Sequence, residues 1–130
     1  MKLEVLLWIT AVRMGQLSRR HRVFRQRLKG KDLVIQMSVA NSNVTRYFSI
    51  ANGRIVSQVG THDEPSLTLH FANEKAAYHV IKSAVRDNRW WVRAMKDKRL
   101  LVKGDLGHLT WFMEIYTYLP VAFKAEASAA

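Results

Sequence analysis

The chain contains no cysteine, so disulfides, thiol catalysis and cysteine-ligated zinc are excluded at once. Its apolar runs are short. The longest, residues 3–12 (LEVLLWITAV), is interrupted by Glu4 and falls well below the roughly 20 residues that a helix needs to cross a bilayer. No small-x-small cleavage pattern follows it, which argues against a secretory signal, and the terminal AEASAA is not a peroxisomal address. Acidic residues are scarce: 10 against 21 Lys and Arg, for a net charge of +11. The histidines at 21, 62, 70, 79 and 108 lack His-x₃-His or His-Glu-x₂-His spacing. Adjacent His62, Asp63 and Glu64 cannot all converge on one metal from a simple turn. No serine or threonine stands near a base, and no Gly-rich phosphate loop precedes a helix. The expectation is therefore a protein that is not an enzyme and has no metal and no cofactor.

What is present is a domain-sized chain of 130 residues, 48% hydrophobic, able to bury about two-thirds of its unfolded surface. The positive charge is concentrated at the front. Residues 1–31 hold nine Lys or Arg against Glu4 alone, and the run from Arg13 through Arg19, Arg20, Arg22, Arg25, Arg27 and Lys29 to Lys31 has no acid. The same segment carries an apolar seam at Leu3, Leu7, Thr10, Met14, Leu17, His21, Phe24 and Leu28, spaced as one face of a helix. Gly15 and Ser18 weaken its middle, so a break near Gly15 is expected, and Gly30 is placed to end it. A basic amphipathic helix of this kind suits an anionic membrane surface. It equally suits nucleic acid, or an acidic protein, or simply a solvated helix packed on a sheet.

Beyond it the period changes from helical to alternating. Leu33, Ile35, Met37 and Val39 form one strand face, then Arg46, Phe48 and Ile50 another. Asn52-Gly53 is a strong hairpin signal, and Ile55–Val59 continues the meander to Gly60. After the polar residues 61–65, Leu67, Leu69 and Phe71 make a fourth strand. Asn73 is placed to cap a helix with the stripe Ala77, Val80, Ile81, Ala84 and Val85. Asp87-Asn88 marks a turn before a shorter helix with Trp90, Trp91, Val92 and Met95. Residues 98–120 (KRLLVKGDLGHLTWFMEIYTYLP) run from a fifth strand through Gly104-Asp105 into a helix apolar nearly all round. The reading is α+β, in the order α-β-β-β-β-α-α-β-α.

The strand–Gly-Asp–apolar helix at 100–119 resembles the sterol carrier protein-2-like lipid-binding domains. The resemblance extends back through Asn52-Gly53-Arg54-Ile55, Gly60 and Glu64-Pro65-Ser66-Leu67-Thr68-Leu69, covering roughly residues 33–119. It implies a curved five-stranded sheet covered by helices on one face, spanning residues 32–120. A basic helical arm at 1–31 and a disordered tail at 121–130 flank it. Many members have glycine where Asp87-Asn88 and Lys98 stand, and often proline near Trp91.

What the resemblance implies about function is non-enzymatic binding or transfer of an acyl, sterol-like or polyprenyl-quinone-like molecule in a cavity between sheet and helices. Phe48, Ile50, Leu67, Leu69 and Phe71 would line it from the strands. Trp90, Trp91, Met95, Leu109, Phe112, Met113, Tyr116 and Leu119 would close it from the helices. The same residues would equally fill an ordinary core, and the surplus apolar face of the last helix would also suit a homodimer. Arg13, Arg19, Arg20, Arg22, Arg25, Arg27, Lys29 and Lys31 are the candidate membrane- or polyanion-binding set. The expected location is cytoplasmic, peripheral to a membrane.

Overall fold

In the computed structural model, which describes residues 2–119, two helices precede the sheet. They are α1 (Lys2–Arg20) and α2 (Arg22–Leu28). The strands β1 (Leu33–Val39), β2 (Thr45–Ala51), β3 (Arg54–Val59) and β4 (Leu67–Phe71) follow, then α3 (Glu74–Ala84) and α4 (Arg89–Lys96). β5 (Leu100–Gly104) and α5 (Leu106–Tyr116) complete the described chain. The expected tail at 121–130 lies outside the described residues.

The five strands form one mixed sheet in the order β3-β2-β1-β4-β5. β1 pairs antiparallel with β2 and parallel with β4, so the chain leaves β3 and returns to the other side of β1. β4 and β5 are antiparallel, with Leu67 opposite Gly104. The alternation read from the sequence sets one face: Leu33, Ile35, Met37, Phe48, Ile50, Leu67, Leu69 and Phe71 are buried under the helices. Asn52 (φ 53°) and Gly53 (φ 70°) both take the left-handed angles of the expected two-residue hairpin turn. Lys98, where many sterol carrier protein-2-like domains have glycine, is also left-handed (φ 62°) just past α4.

The N-terminal helices pack onto this sheet. Leu3, Leu7, Thr10, Met14, Leu17, Phe24 and Leu28 of the seam are all buried. The break falls at His21, beyond Gly15. His21 leaves the helical region, and its Nδ1 accepts from the Phe24 N–H to cap α2. Gly15 stays helical and faces β3, with its Cβ position 3.8 Å from the Ile55 carbonyl oxygen, an ordinary contact distance. Ser18 Oγ accepts from the Ile55 N–H (3.3 Å), so α1 covers part of the edge strand.

On the opposite face Gln36 is buried too. Its Nε2 donates to the carbonyls of Met37, Arg46 and Gly60, and its Oε1 accepts from the His62 N–H. One side chain thus ties the β3–β4 loop to the sheet.

Candidate functional site

The apolar layer between sheet and helices is continuous. Phe48, Ile50, Leu67, Leu69 and Phe71 form its floor, each no more than 1% exposed. Trp91, Leu109, Phe112, Tyr116 and Leu119 form its roof and are likewise buried. Trp91 meets Tyr116 edge-on at 5.2 Å and Phe112 at 5.6 Å, and Phe112 and Tyr116 are 5.6 Å apart. Met95 and Met113 lie at the rim, half-buried. Trp90 is also half-buried against the edge of the layer. It packs edge-on against His79 (4.7 Å) and under the Arg93 guanidinium (5.1 Å) at the surface. Adjacent residues on a helix point about 100° apart, and that divides the tryptophan pair.

The Tyr116 hydroxyl and the Trp91 indole N–H both sit in this layer. Tyr116 Oη donates to the Ile81 carbonyl (2.7 Å), joining α5 to α3. The Trp91 Nε1–H is buried without a hydrogen-bond partner among the described residues. A buried donor left so costs about 1–3 kcal/mol. The space between α1, α3 and the β1 and β4 ends, lined by Leu3, Leu7, Met37, Phe71, Ala77 and Ile81, holds no volume for a water molecule.

Burial raises the Tyr116 pKa, opposed by a weaker hydrogen bond from Thr10. The unfolded chain would lose that proton near pH 10 while the folded protein keeps it, so the folded state then binds more protons. The Tyr116 contribution is therefore intact below about pH 10 and falls above it by about 1.4 kcal/mol per pH unit. Tyr116→Phe is expected to remove that component of the alkaline slope. At neutral pH it should cost about 1–3 kcal/mol, because the Ile81 carbonyl loses its donor. Urea unfolding of both proteins across this range tests the sign.

The surplus apolar face of α5, which suggested a second copy, is taken up within the chain. Trp111 Nε1 donates to the Arg27 carbonyl (3.0 Å), and Tyr118 packs on His21 and Phe24. Leu106 is the large apolar residue of α5 that stays exposed.

The basic residues separate into groups. Arg27 donates to Tyr118 Oη and Lys31 lies over the Trp111 ring, both toward α5. Arg13 is half-buried beside Gln16, and Arg19 is exposed along α1. Arg20, Arg22, Arg25 and Lys29 instead line an open cleft of about 690 Å³ between α2 and the β2–β3 hairpin. Arg54, not singled out from the sequence, joins them there with Asn52 and Gly53. Its signal was the Asn-Gly turn itself, which folds β3 back beside α2.

No grouping of His, Asp and Glu able to hold a metal occurs among the described residues. Ser38 Oγ and His70 Nδ1 are 2.7 Å apart, but these residues face one another across the β1–β4 ladder. No described carboxylate orients the imidazole as a base. No described helix is long and apolar enough to cross a membrane.

No protein-family model matches the chain. No curated protein matches it either. Solved structures do. A UbiJ-SCP2 ubiquinone synthesis protein aligns with a TM-score of 0.63 at 16% identity, over 90% of this chain and 92% of that one. The palmitated SCP2L2 of Aedes aegypti aligns at 0.61 and 14% identity, over 90% and 96%. The apo sterol carrier protein 2 of Yarrowia lipolytica aligns at 0.61 and 14%, over 83% and 86%. The chain has the sterol carrier protein-2 fold. The sec-alkylsulfatase Pisa1 of Pseudomonas sp. also aligns, at 0.54 and 17%, but only 14% of that chain is covered. The aligned part is thus a small segment of a much larger chain. Here the sterol carrier protein-2 fold takes up nearly the whole described chain, with α1 and α2 built into its helical layer.

Proposed function

We propose that this protein binds and carries a lipid-like apolar molecule without catalysing a reaction on it. The cargo is acyl, sterol-like or polyprenyl-quinone-like, and it is held between the sheet and its helices. The observation that carries the reading is the fold shared, over 90% of the chain, with a protein solved in palmitated form. Each methylene removed from water is worth about 0.8 kcal/mol, so a long chain gains affinity without specific polar contacts. The unpartnered Trp91 N–H offers one buried donor to an oxygen of the cargo.

Between α1, α3 and the ends of β1 and β4 the layer holds no space for a water molecule, so cargo reaching that part requires the helices to part from the sheet. Among the described residues, α5 and the turn after it are held by apolar packing on Trp91 and by the contacts of Trp111 with Arg27, Tyr118 with His21 and Phe24, and Tyr116 with Ile81. Docking on an anionic membrane through α1 and α2 would bring the protein to its cargo. Those helices carry the basic residues together with exposed Val5, Trp8 and Val23, a combination suited to the interfacial region of a bilayer.

Native mass spectrometry of gently purified protein, followed by organic extraction, tests the cargo. A stoichiometric lipid or quinone released on extraction is the expected result. Protein that is empty and also takes up no fluorescent fatty acid would overturn the carrier reading.

A further inference from the structure

The cleft between α2 and the β2–β3 hairpin is a second site, separate from the apolar layer. Its walls hold five cations, Arg20, Arg22, Arg25, Lys29 and Arg54, and no acid. Arg22, Arg25 and Lys29 follow three- and four-residue spacing, so α2 and its C-terminal end present them on one side. Arg54 faces them from the start of β3. Its Nη1 donates to the Ser18 and Gly53 carbonyls (3.3 and 3.4 Å), which holds the guanidinium in place. The remaining Arg54 N–H groups have no partner among the described residues.

None of the five is neutralised by an ion pair among the described residues. The ion pairs there, Asp87–Arg89 and Asp97–Arg99, lie at the two ends of α4. Five like charges facing one volume repel one another, and an anion within that volume relieves the repulsion. The backbone is also bare where it meets the cleft. Gly30 (φ 76°) and Gly53 (φ 70°) both line it, and at each a Cβ would meet nothing within 4 Å. A ligand can therefore approach the main chain closely at both walls.

Guanidinium groups bind phosphate through paired charge-assisted hydrogen bonds, and one phosphate engages two or three such groups. Five cations around about 690 Å³ supply at least that number. We propose that this cleft binds a multiply charged phosphate group, either in a soluble diphosphate or in the phosphomonoester headgroup of a membrane lipid. The inference narrows the docking part of the function proposed above and stands or falls separately from lipid carriage.

The test uses the full chain and two probes. Inorganic pyrophosphate is titrated calorimetrically. Phosphatidylcholine vesicles doped with phosphatidic acid (a phosphomonoester) or, at matched surface charge, with phosphatidylglycerol (a diester) are used for co-sedimentation. Arg25→Ala with Arg54→Ala is compared with the charge-matched pair Lys75→Ala with Arg86→Ala, both exposed and outside the cleft. The cleft pair is expected to weaken pyrophosphate binding by about tenfold or more, and the control pair by less than about twofold. If the Arg54 change prevents folding, Arg25→Glu on α2 carries the same comparison.

Preference for phosphatidic acid, competed away by pyrophosphate, assigns the cleft to a headgroup. Pyrophosphate binding with no such preference assigns it to a soluble ligand. Equal losses in both pairs, or no pyrophosphate binding and no phosphatidic acid preference, would overturn the cleft. Equal binding to both doped vesicles would still leave docking standing. Retention of an RNA duplex in place of both probes would overturn the cleft in favour of nucleic acid.

Discussion

Gly104→Ala is expected to destabilise the protein by about 3–5 kcal/mol, lowering its thermal midpoint by roughly 10–20 °C. Two costs add at this residue. Gly104 has φ 120°, a region that side chains other than glycine rarely enter. A Cβ there would also collide with the Ser66 carbonyl oxygen and fall 3.1 Å from the Leu67 Cα, backbone atoms just before and at the start of the paired strand. Neither can swing aside as the end of a side chain would.

Gly60 provides the internal control. Its φ is nearly the same at 118°, yet nothing lies within 4 Å of its Cβ position. Gly60→Ala should therefore carry only the conformational cost, about 1–3 kcal/mol. Denaturant unfolding of the two variants separates the terms, and equal losses would show that contact with β4 is not what requires glycine at 104. Asp105 next in the chain caps α5, its Oδ1 accepting from the Gly107 N–H (2.6 Å). The Gly-Asp pair thus joins β5 to β4 at close range and starts the last helix one residue later.

Phe112→Ala is expected to cost the unliganded protein about 3–5 kcal/mol. Phe112 is 1% exposed and lies between Trp91 and Tyr116 in the roof of the apolar layer. Truncation removes the buried ring and leaves a void among aromatic neighbours whose own contacts resist collapse. If the cargo occupies this layer, a ligand that binds only the folded state restores stability in proportion to the logarithm of its concentration over its Kd. Oleate should then raise the thermal midpoint of the wild type, and raise that of Phe112→Ala by more, because the void accepts part of the chain. An unchanged midpoint in both proteins would place the cargo elsewhere or remove it. Trp90→Ala serves as the comparison, since Trp90 is half-buried at the edge of the layer, against His79 and Arg93, and lies off the Phe112–Tyr116 roof.

The sequence by itself determined those features that depend on neighbours a few residues away. Alternation set the faces of β1, β2 and β4, Asn52-Gly53 set the hairpin, and Asn73 and Asp105 capped the helices that they precede. The apolar seam of residues 3–28 identified which side of α1 and α2 is buried, because helical periodicity does not depend on the partner. Tertiary structure decided what each face meets. The break falls at His21, whose ring caps α2, while Ser18 before it is tied to Ile55 of β3.

Packing likewise turned the apolar surplus of α5 toward α2 and α3, separated Trp90 from Trp91, and buried Gln36 beneath a loop. It also brought Arg54 beside Arg25 and Lys29 across a cleft that joins two distant parts of the chain. Local patterns record what a residue prefers beside it. Burial, hydrogen bonding and charge repulsion depend on groups far away in sequence, so the apolar layer was legible as composition, whereas the partners of each side chain in it and the cleft arose only in the folded chain.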